Sequence, residues 1–161
     1  MKLSTPDVLF DIDADGRLDT VSWPEEPERL AFLALDRNGD GTINDATELL
    51  GDHTLPDVGD GFTALLHLVR AEENGRQVAE VNSTDPLFSR LLLWTDINRD
   101  GISQPTELQP AANVLKAIGV GVTITGRKDN IGNAYRYKGW ARYLNDVERP
   151  VYDVILATVR P

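Results

Sequence analysis

The chain has 161 residues, 41% of them hydrophobic and 7% aromatic, with no cysteine and a net charge of -10. That apolar content suits one folded domain or two small ones. It excludes wholesale disorder, and the missing cysteines exclude disulfides and thiolate metal sites. The acidity argues against a nucleic-acid surface. No apolar run reaches the roughly 18 residues of a membrane helix, and Met1-Lys2-Leu3 leads into no apolar segment, so neither a membrane partner nor a signal peptide is expected within the chain.

In chain order, residues 1–7 read as a flexible leader. Segments 8–10 and 18–23 flank an acidic turn and read as the strands of a hairpin. Residues 24–28, two prolines among three glutamates, suit a helix start. The apolar run 30–35 is a short helix or a strand, which periodicity cannot separate. Residues 47–50 suit one helical turn stopped by Gly51, and 52–61, with Pro56, Gly59 and Gly61, a loop. Phe62, Leu65, Leu66 and Val69 recur at helical spacing, which predicts an amphipathic helix over 62–70. Residues 71–84 are polar and irregular, and 86–94 form a helix or strand. Residues 107–118 read as partly helical around Pro110. Segments 120–125, 134–143 and 151–159 are β-rich and predict a small antiparallel sheet.

The charge is concentrated. The chain holds 17 Asp against 9 Glu, although Glu is the better helix former. Three windows, 11–19, 36–48 and 96–107, carry -8 of the net charge and the other 127 residues only -2. A charge kept for solubility would be spread over the surface. Carboxylates packed into short turns repel one another unless a cation lies among them.

The third window places Asp96, Asn98, Asp100, Gly101 and Glu107 at the fixed positions of the D-x-[DN]-x-[DN]-G-x5-E calcium loop. Calcium takes six to eight oxygens at about 2.3–2.6 Å, so alternating carboxyl and amide side chains wind round it. Gly101 permits the sharp turn, the Ile102 carbonyl adds an oxygen, Gln104 acts directly or through water, and Glu107 closes the sphere. The second window fits with Asp36, Asn38, Asp40, Gly41 and the Thr42 carbonyl, but position twelve is Thr47 and the acid, Glu48, comes one place late. A longer loop accommodates it. Ile43 stands where such loops place an apolar residue for pairing with each other. The first window offers Asp11, Asp13, Asp15, the Arg17 carbonyl and Asp19, without an acid at position twelve; Asp52 or Glu48 could complete it. Two to three Ca²⁺ ions are expected. Zinc fits poorly with only His53 and His67, and Mg²⁺ prefers water-rich octahedral sites. An Asx-rich turn without any ion is the bland alternative.

Residues 8–13 also resemble the first strand of haloacid-dehalogenase-type phosphatases. Asp15-Gly16 departs from that motif, Gly51-Asp52 follows after only about 40 residues, and no repeated strand–helix pattern comes after. A phosphatase is set aside.

Taken together, the runs 10–16, 32–41, 48–52, 61–65, 93–104 and 107–108 resemble, in order, the EF-hand-like calcium domains of large secreted bacterial RTX proteins. Among these they are similar to the self-processing modules of the iron-regulated RTX proteins of Neisseria. The resemblance implies a calcium-dependent module of a larger secreted or surface polypeptide. In self-processing members an Asp-Pro bond just before the module is cut by attack of the Asp carboxylate on its own carbonyl. Here Thr5 precedes Pro6, so that reaction has no carboxylate. Asp85-Pro86 lies inside the chain and reads as a helix N-cap and first residue. The family's further acidic loop corresponds to 71–82, whose alternating ligands are lost.

The expected fold is therefore α+β: one domain over 1–161, with EF-hand-like and β-hairpin calcium loops and short helices over 8–119 and a β-rich part over 120–161. The expected function is non-catalytic calcium binding coupled to folding, with calcium-triggered self-processing as the alternative.

Overall fold

A computed structural model describes residues 1–72, 75 and 77–159. Among these the chain forms one α-helix, eleven strands in three antiparallel sheets and three short 3-10 turns. The expectation of an α+β, EF-hand-like architecture is thus wrong: this is a mostly β protein. Loop 1 closes the hairpin expected for it, and the second and third acidic loops, expected among short helices, close hairpins as well.

Strands β1 (Val8–Phe10) and β2 (Asp19–Val21) pair with Phe10 opposite Asp19, and loop 1 spans the turn between them. Strand β3 (Phe32–Ala34) leads into loop 2, and the chain returns along it through Leu35 N–H to Glu48 O (2.8 Å) and Leu50 N–H to Leu33 O (2.9 Å). Loop 3 joins β5 (Leu92–Trp94) to β6 (Leu108–Pro110), with Trp94 opposite Leu108. The flanking apolar runs are only four to six residues long, too short to nucleate helices, and each supplies a three-residue strand. For the same reason Glu107 is followed by a strand, and residues 107–118, expected to be partly helical, hold β6, a 3-10 turn at Ala111–Asn113 and β7 (Leu115–Gly119). Residues 24–28 yield only a 3-10 turn, Pro27–Arg29.

Residues 1–7, expected as a flexible leader, are anchored at two positions. Leu3 and Ser4 are buried, Ser4 N–H reaches Trp23 O at 2.8 Å, and Leu3 bridges Pro24. β1 and β2 are joined by β11 (Thr158–Val159), so both ends of the chain meet in one sheet.

Helix α1 (Gly61–Glu72) matches the predicted amphipathic helix. Asp60 caps it, accepting from Thr63 N–H at 2.9 Å and from the Thr63 hydroxyl at 2.7 Å. Phe62, Leu65 and Val69 face a sheet ordered β10 (Glu148–Ile155), β9 (Ala134–Tyr143), β7 and β4 (Glu80–Asn82), with β8 (Thr123–Lys128) also on β9. The predicted C-terminal sheet is therefore present and larger than expected, because β4 and β7 join it from upstream. Gly139 lies under α1; a Cβ there would come 2.6 Å from the Phe62 ring.

Two apolar cores result. One packs α1 on this sheet through Leu65, Val69, Val81, Leu87, Leu91 and Ile118. The other is aromatic: Phe10, Trp23, Phe32 and Trp94 lie with centroids 4.6–5.7 Å apart beneath the three loops. No helix among the described residues is long and apolar enough to cross a membrane.

Candidate metal centre

The three loops repeat one turn. The first carboxylate folds back on the main chain five residues on: Gly16 N–H to Asp11, Gly41 N–H to Asp36 and Gly101 N–H to Asp96, each at 2.9 Å. The fifth-position carboxylate accepts from the seventh residue: Arg17 N–H to Asp15 at 2.9 Å, Thr42 N–H to Asp40 at 2.8 Å and Ile102 N–H to Asp100 at 2.9 Å. Positions four and six are left-handed throughout, as Ala14 and Gly16, Gly39 and Gly41, Arg99 and Gly101. Gly101 has a second constraint, since a Cβ there would lie 2.2 Å from Leu9 O.

In loop 1, Asp11, Asp13 and Asp15 each present an oxygen within 4.8 Å of the others. Like charges at that distance repel by about 1 kcal/mol per pair even at water's dielectric constant. Asp19 is buried at the start of β2. Of the acids expected to complete it, Glu48 turns into loop 2, and Asp52 lies 3.7 Å from Arg136.

Loop 2 takes the late acid inward. Glu48, buried, accepts from Arg37 N–H (2.9 Å), Asn38 N–H (3.3 Å) and Asn44 N–H (2.9 Å), so its carboxylate sits inside the turn that Asp36 begins. The Asn38 amide reaches Asp40 at 3.1 Å. Asn44, not foreseen from the sequence, points into the same space: Asn38 Nδ2 lies 3.2 Å from its side chain, and its amide nitrogen, turned inward, comes within 3.1 Å of Glu48 and Asp40. Its signal was its place, the ninth position, where loop 1 has Asp19 and loop 3 has Gln104. The hydroxyl and N–H of Thr42 hold the Asp40 carboxyl below the ordinary carboxylate range.

In loop 3 the first and last acids, Asp96 and Glu107, are both buried. Glu107 accepts from Ile97 N–H at 2.8 Å, and Asn98 and Gln104 amides each reach Asp100 at 2.8 Å. Burial pushes the Asp100 carboxyl up, but hydrogen bonds from Ile102 N–H, Gln104 and Asn98 outweigh it and leave it low. Gln104 Oε1 is buried and has no donor. The carbonyls expected to ligate, of Arg17, Thr42 and Ile102, belong to the residues whose N–H groups brace the fifth-position carboxylates.

The loops also touch. Ile43 and Ser103, both at position eight, meet: Ile43 N–H donates to Ser103 Oγ at 2.6 Å. Ala46 N–H donates to Asp11 O at 2.9 Å, joining loop 2 to loop 1. Arg99 pairs with Asp7 at 2.8 Å, joining loop 3 to the segment before β1. The 71–82 stretch lies partly outside the described residues, at 73, 74 and 76; its visible end forms β4.

Fold and loops together define a β-hairpin protein with three linked acidic turns. The family model of the SPM domain matches residues 1–157, and the chain belongs to that family. It is 34% identical over 132 residues to the iron-regulated protein FrpA of Neisseria meningitidis serogroup C. That match takes in 78% of this chain and 11% of the relative, so the chain spans a small part of the relative's length.

Proposed function

We propose that the chain is a non-catalytic calcium-binding module of a larger secreted or surface bacterial protein, one that folds or stiffens when Ca²⁺ enters its loops. The observation that carries this reading is the threefold repeat of one turn, with acids gathered round each and backbone N–H groups orienting them. The donor set is all oxygen, which suits a hard cation. The buried Gln104 Oε1, an acceptor with no donor beside the Asp100 carboxylate, supports it further. Asp11, Asp13, Asp15 and Asp19 would hold one ion, Asp36, Asn38, Asp40 and Glu48 a second, and Asp96, Asn98, Asp100 and Glu107 a third. Three ions would take the charge from -10 to -4. A ligand bound only by the folded state stabilises it by mass action, and loops of extracellular modules bind as weakly as about 10⁻⁴–10⁻³ M. Such sites fill outside cells and empty inside, which would delay folding until after export. The test is a thermal melt with Ca²⁺ and with excess chelator. A large, reversible rise in Tm is expected, and calorimetry should lose one binding event in each of Asp36→Ala and Asp96→Ala. An unchanged melt refutes the reading.

Family membership favours a second reading, calcium-triggered self-processing. Thr5 offers no carboxylate before Pro6. At Asp85-Pro86 the Asp85 side chain is buried and accepts from Asn82 N–H at 2.7 Å, which turns that oxygen toward the preceding turn. A denaturing gel after Ca²⁺ addition separates the two readings: one band supports the binding module, two fragments the self-processing one.

A further inference from the structure

Loop 3 differs from its two counterparts in what holds its acids. Asp11 accepts from main-chain N–H groups of its own loop, and so do Asp36 and Glu48. Asp96 and Glu107, the first and last acids of loop 3, are reached in addition by indole nitrogens. Trp23 Nε1 donates to Asp96 Oδ2 at 2.8 Å, and Trp94 Nε1 lies 3.5 Å from Glu107 Oε2. Both rings are fully buried, edge to face with centroids 5.6 Å apart. A buried indole N–H needs an acceptor; Trp94 finds its own in the loop that its strand enters, whereas Trp23 finds one far along the chain. Trp23 stands 73 positions before Asp96.

We propose that Trp23, with Trp94 in support, is a positioning residue of the third loop: it fixes the first carboxylate in its ligating orientation, raises the loop's affinity for a divalent cation, and makes cation arrival visible in tryptophan emission. This rests on the calcium reading of the loops. A carboxylate oxygen has lone pairs for both an indole N–H and a cation, so the indole contact persists while the cation binds. A carboxylate held at both ends of the loop loses less freedom on binding. The optical consequence follows from charge. Excitation moves electrons from the pyrrole ring of indole to its benzene ring, and an anion beside the nitrogen stabilises that state. Neutralising Asp96 and Glu107 therefore moves emission to shorter wavelength. The third tryptophan, Trp140, lies against Gly119 in the C-terminal sheet, with the Arg142 guanidinium over its ring.

The experiment titrates the full chain with Ca²⁺, following heat and emission together. In the wild type a shift to shorter wavelength should saturate with one binding event. Asp96→Asn, which keeps an oxygen for the indole, should abolish the shift, and Asp36→Asn should leave it in place. Trp23→Phe, which keeps a ring but no donor, should weaken the loop 3 event about five- to tenfold and leave loop 2 unchanged. If the wild type binds Ca²⁺ but Trp23→Phe binds with wild-type affinity, or if Asp36→Asn rather than Asp96→Asn removes the shift, the inference fails while the calcium reading stands. If the wild type gives no heat, both fail. Should Trp23→Phe not fold, the emission of the wild type and the two Asp variants decides alone.

Discussion

The loop-bearing part of the chain and the C-terminal sheet handle charge in opposite ways. The first 114 residues hold 22 of the 26 acidic residues but only half of the 16 basic ones; the rest of the chain is basic in balance. In the loops, carboxylates accept from main-chain N–H groups and crowd one another. In the sheet they take guanidinium partners: Asp153 with Arg136 at 2.7 Å, Glu148 with Arg142 at 3.0 Å. The sheet also has strands of eight and ten residues, against three in the hairpins that carry the loops. One region balances its own charge and ladder; the other leaves a surplus of anions that a cation would complete.

That contrast can be broken at single residues. Gly101→Ala should cost the most, about 3 kcal/mol or more, because a left-handed backbone coincides with a Cβ placed 2.2 Å from Leu9 O. Chemical denaturation would measure it; a cost below about 1 kcal/mol would mean that loop 3 is not wedged against β1. In the sheet, Arg136→Met removes the partner of a buried carboxylate whose other contact is Gly61 N–H at 2.9 Å. A loss of about 2–3 kcal/mol is expected. Gly41→Ala has the same handedness as Gly101 but open space around it, so about 1–2 kcal/mol is the whole expectation. The difference between the two glycines measures how much of loop 3 belongs to the tertiary structure.

The smallest effect is a pH dependence. Burial pushes the Asp129 carboxyl up, but hydrogen bonds from the Asn133 side chain and from N–H groups of Asn133, Gly132 and Ile131 hold it below its ordinary value. A carboxylate lowered in the folded state contributes stability above the unfolded pKa, near 3.8. That contribution fades as the pH falls toward the lower folded value. Asp129→Asn should flatten the acid limb of the stability curve below about pH 4 and leave calcium titration at neutral pH unaltered. An unchanged acid limb would show that this turn is no more than a surface feature.

Much of the site was legible because its grammar is local. Asp, Asn and Gly at fixed spacing give the turn wherever it falls, and the late Glu48 could be read as an inward acid on count alone. The amphipathic run after Gly61 likewise needed only its own spacing. Asn44 carries a weaker signal, its ninth position shared with Asp19 and Gln104, and nothing in its near sequence shows that its amide turns toward Glu48.

What flanks the turns was not legible. A short apolar run carries no period, so helix and strand look alike at 30–35 and 86–94, and the pattern of the second and third loops suggests helices that the hairpins replace. The leader seemed free because its partner, Trp23, lies beyond the first acidic turn. The sequence by itself determined where the acids gather, which glycines turn, and that α1 has one apolar face, since these depend on neighbours within a few residues. Only the tertiary structure decided that the second and third turns close hairpins like the first, that β1 and β11 share a sheet, and that Trp23 holds Asp96. Such long-range pairings depend on which apolar surfaces are buried together, and no spacing along the chain records that.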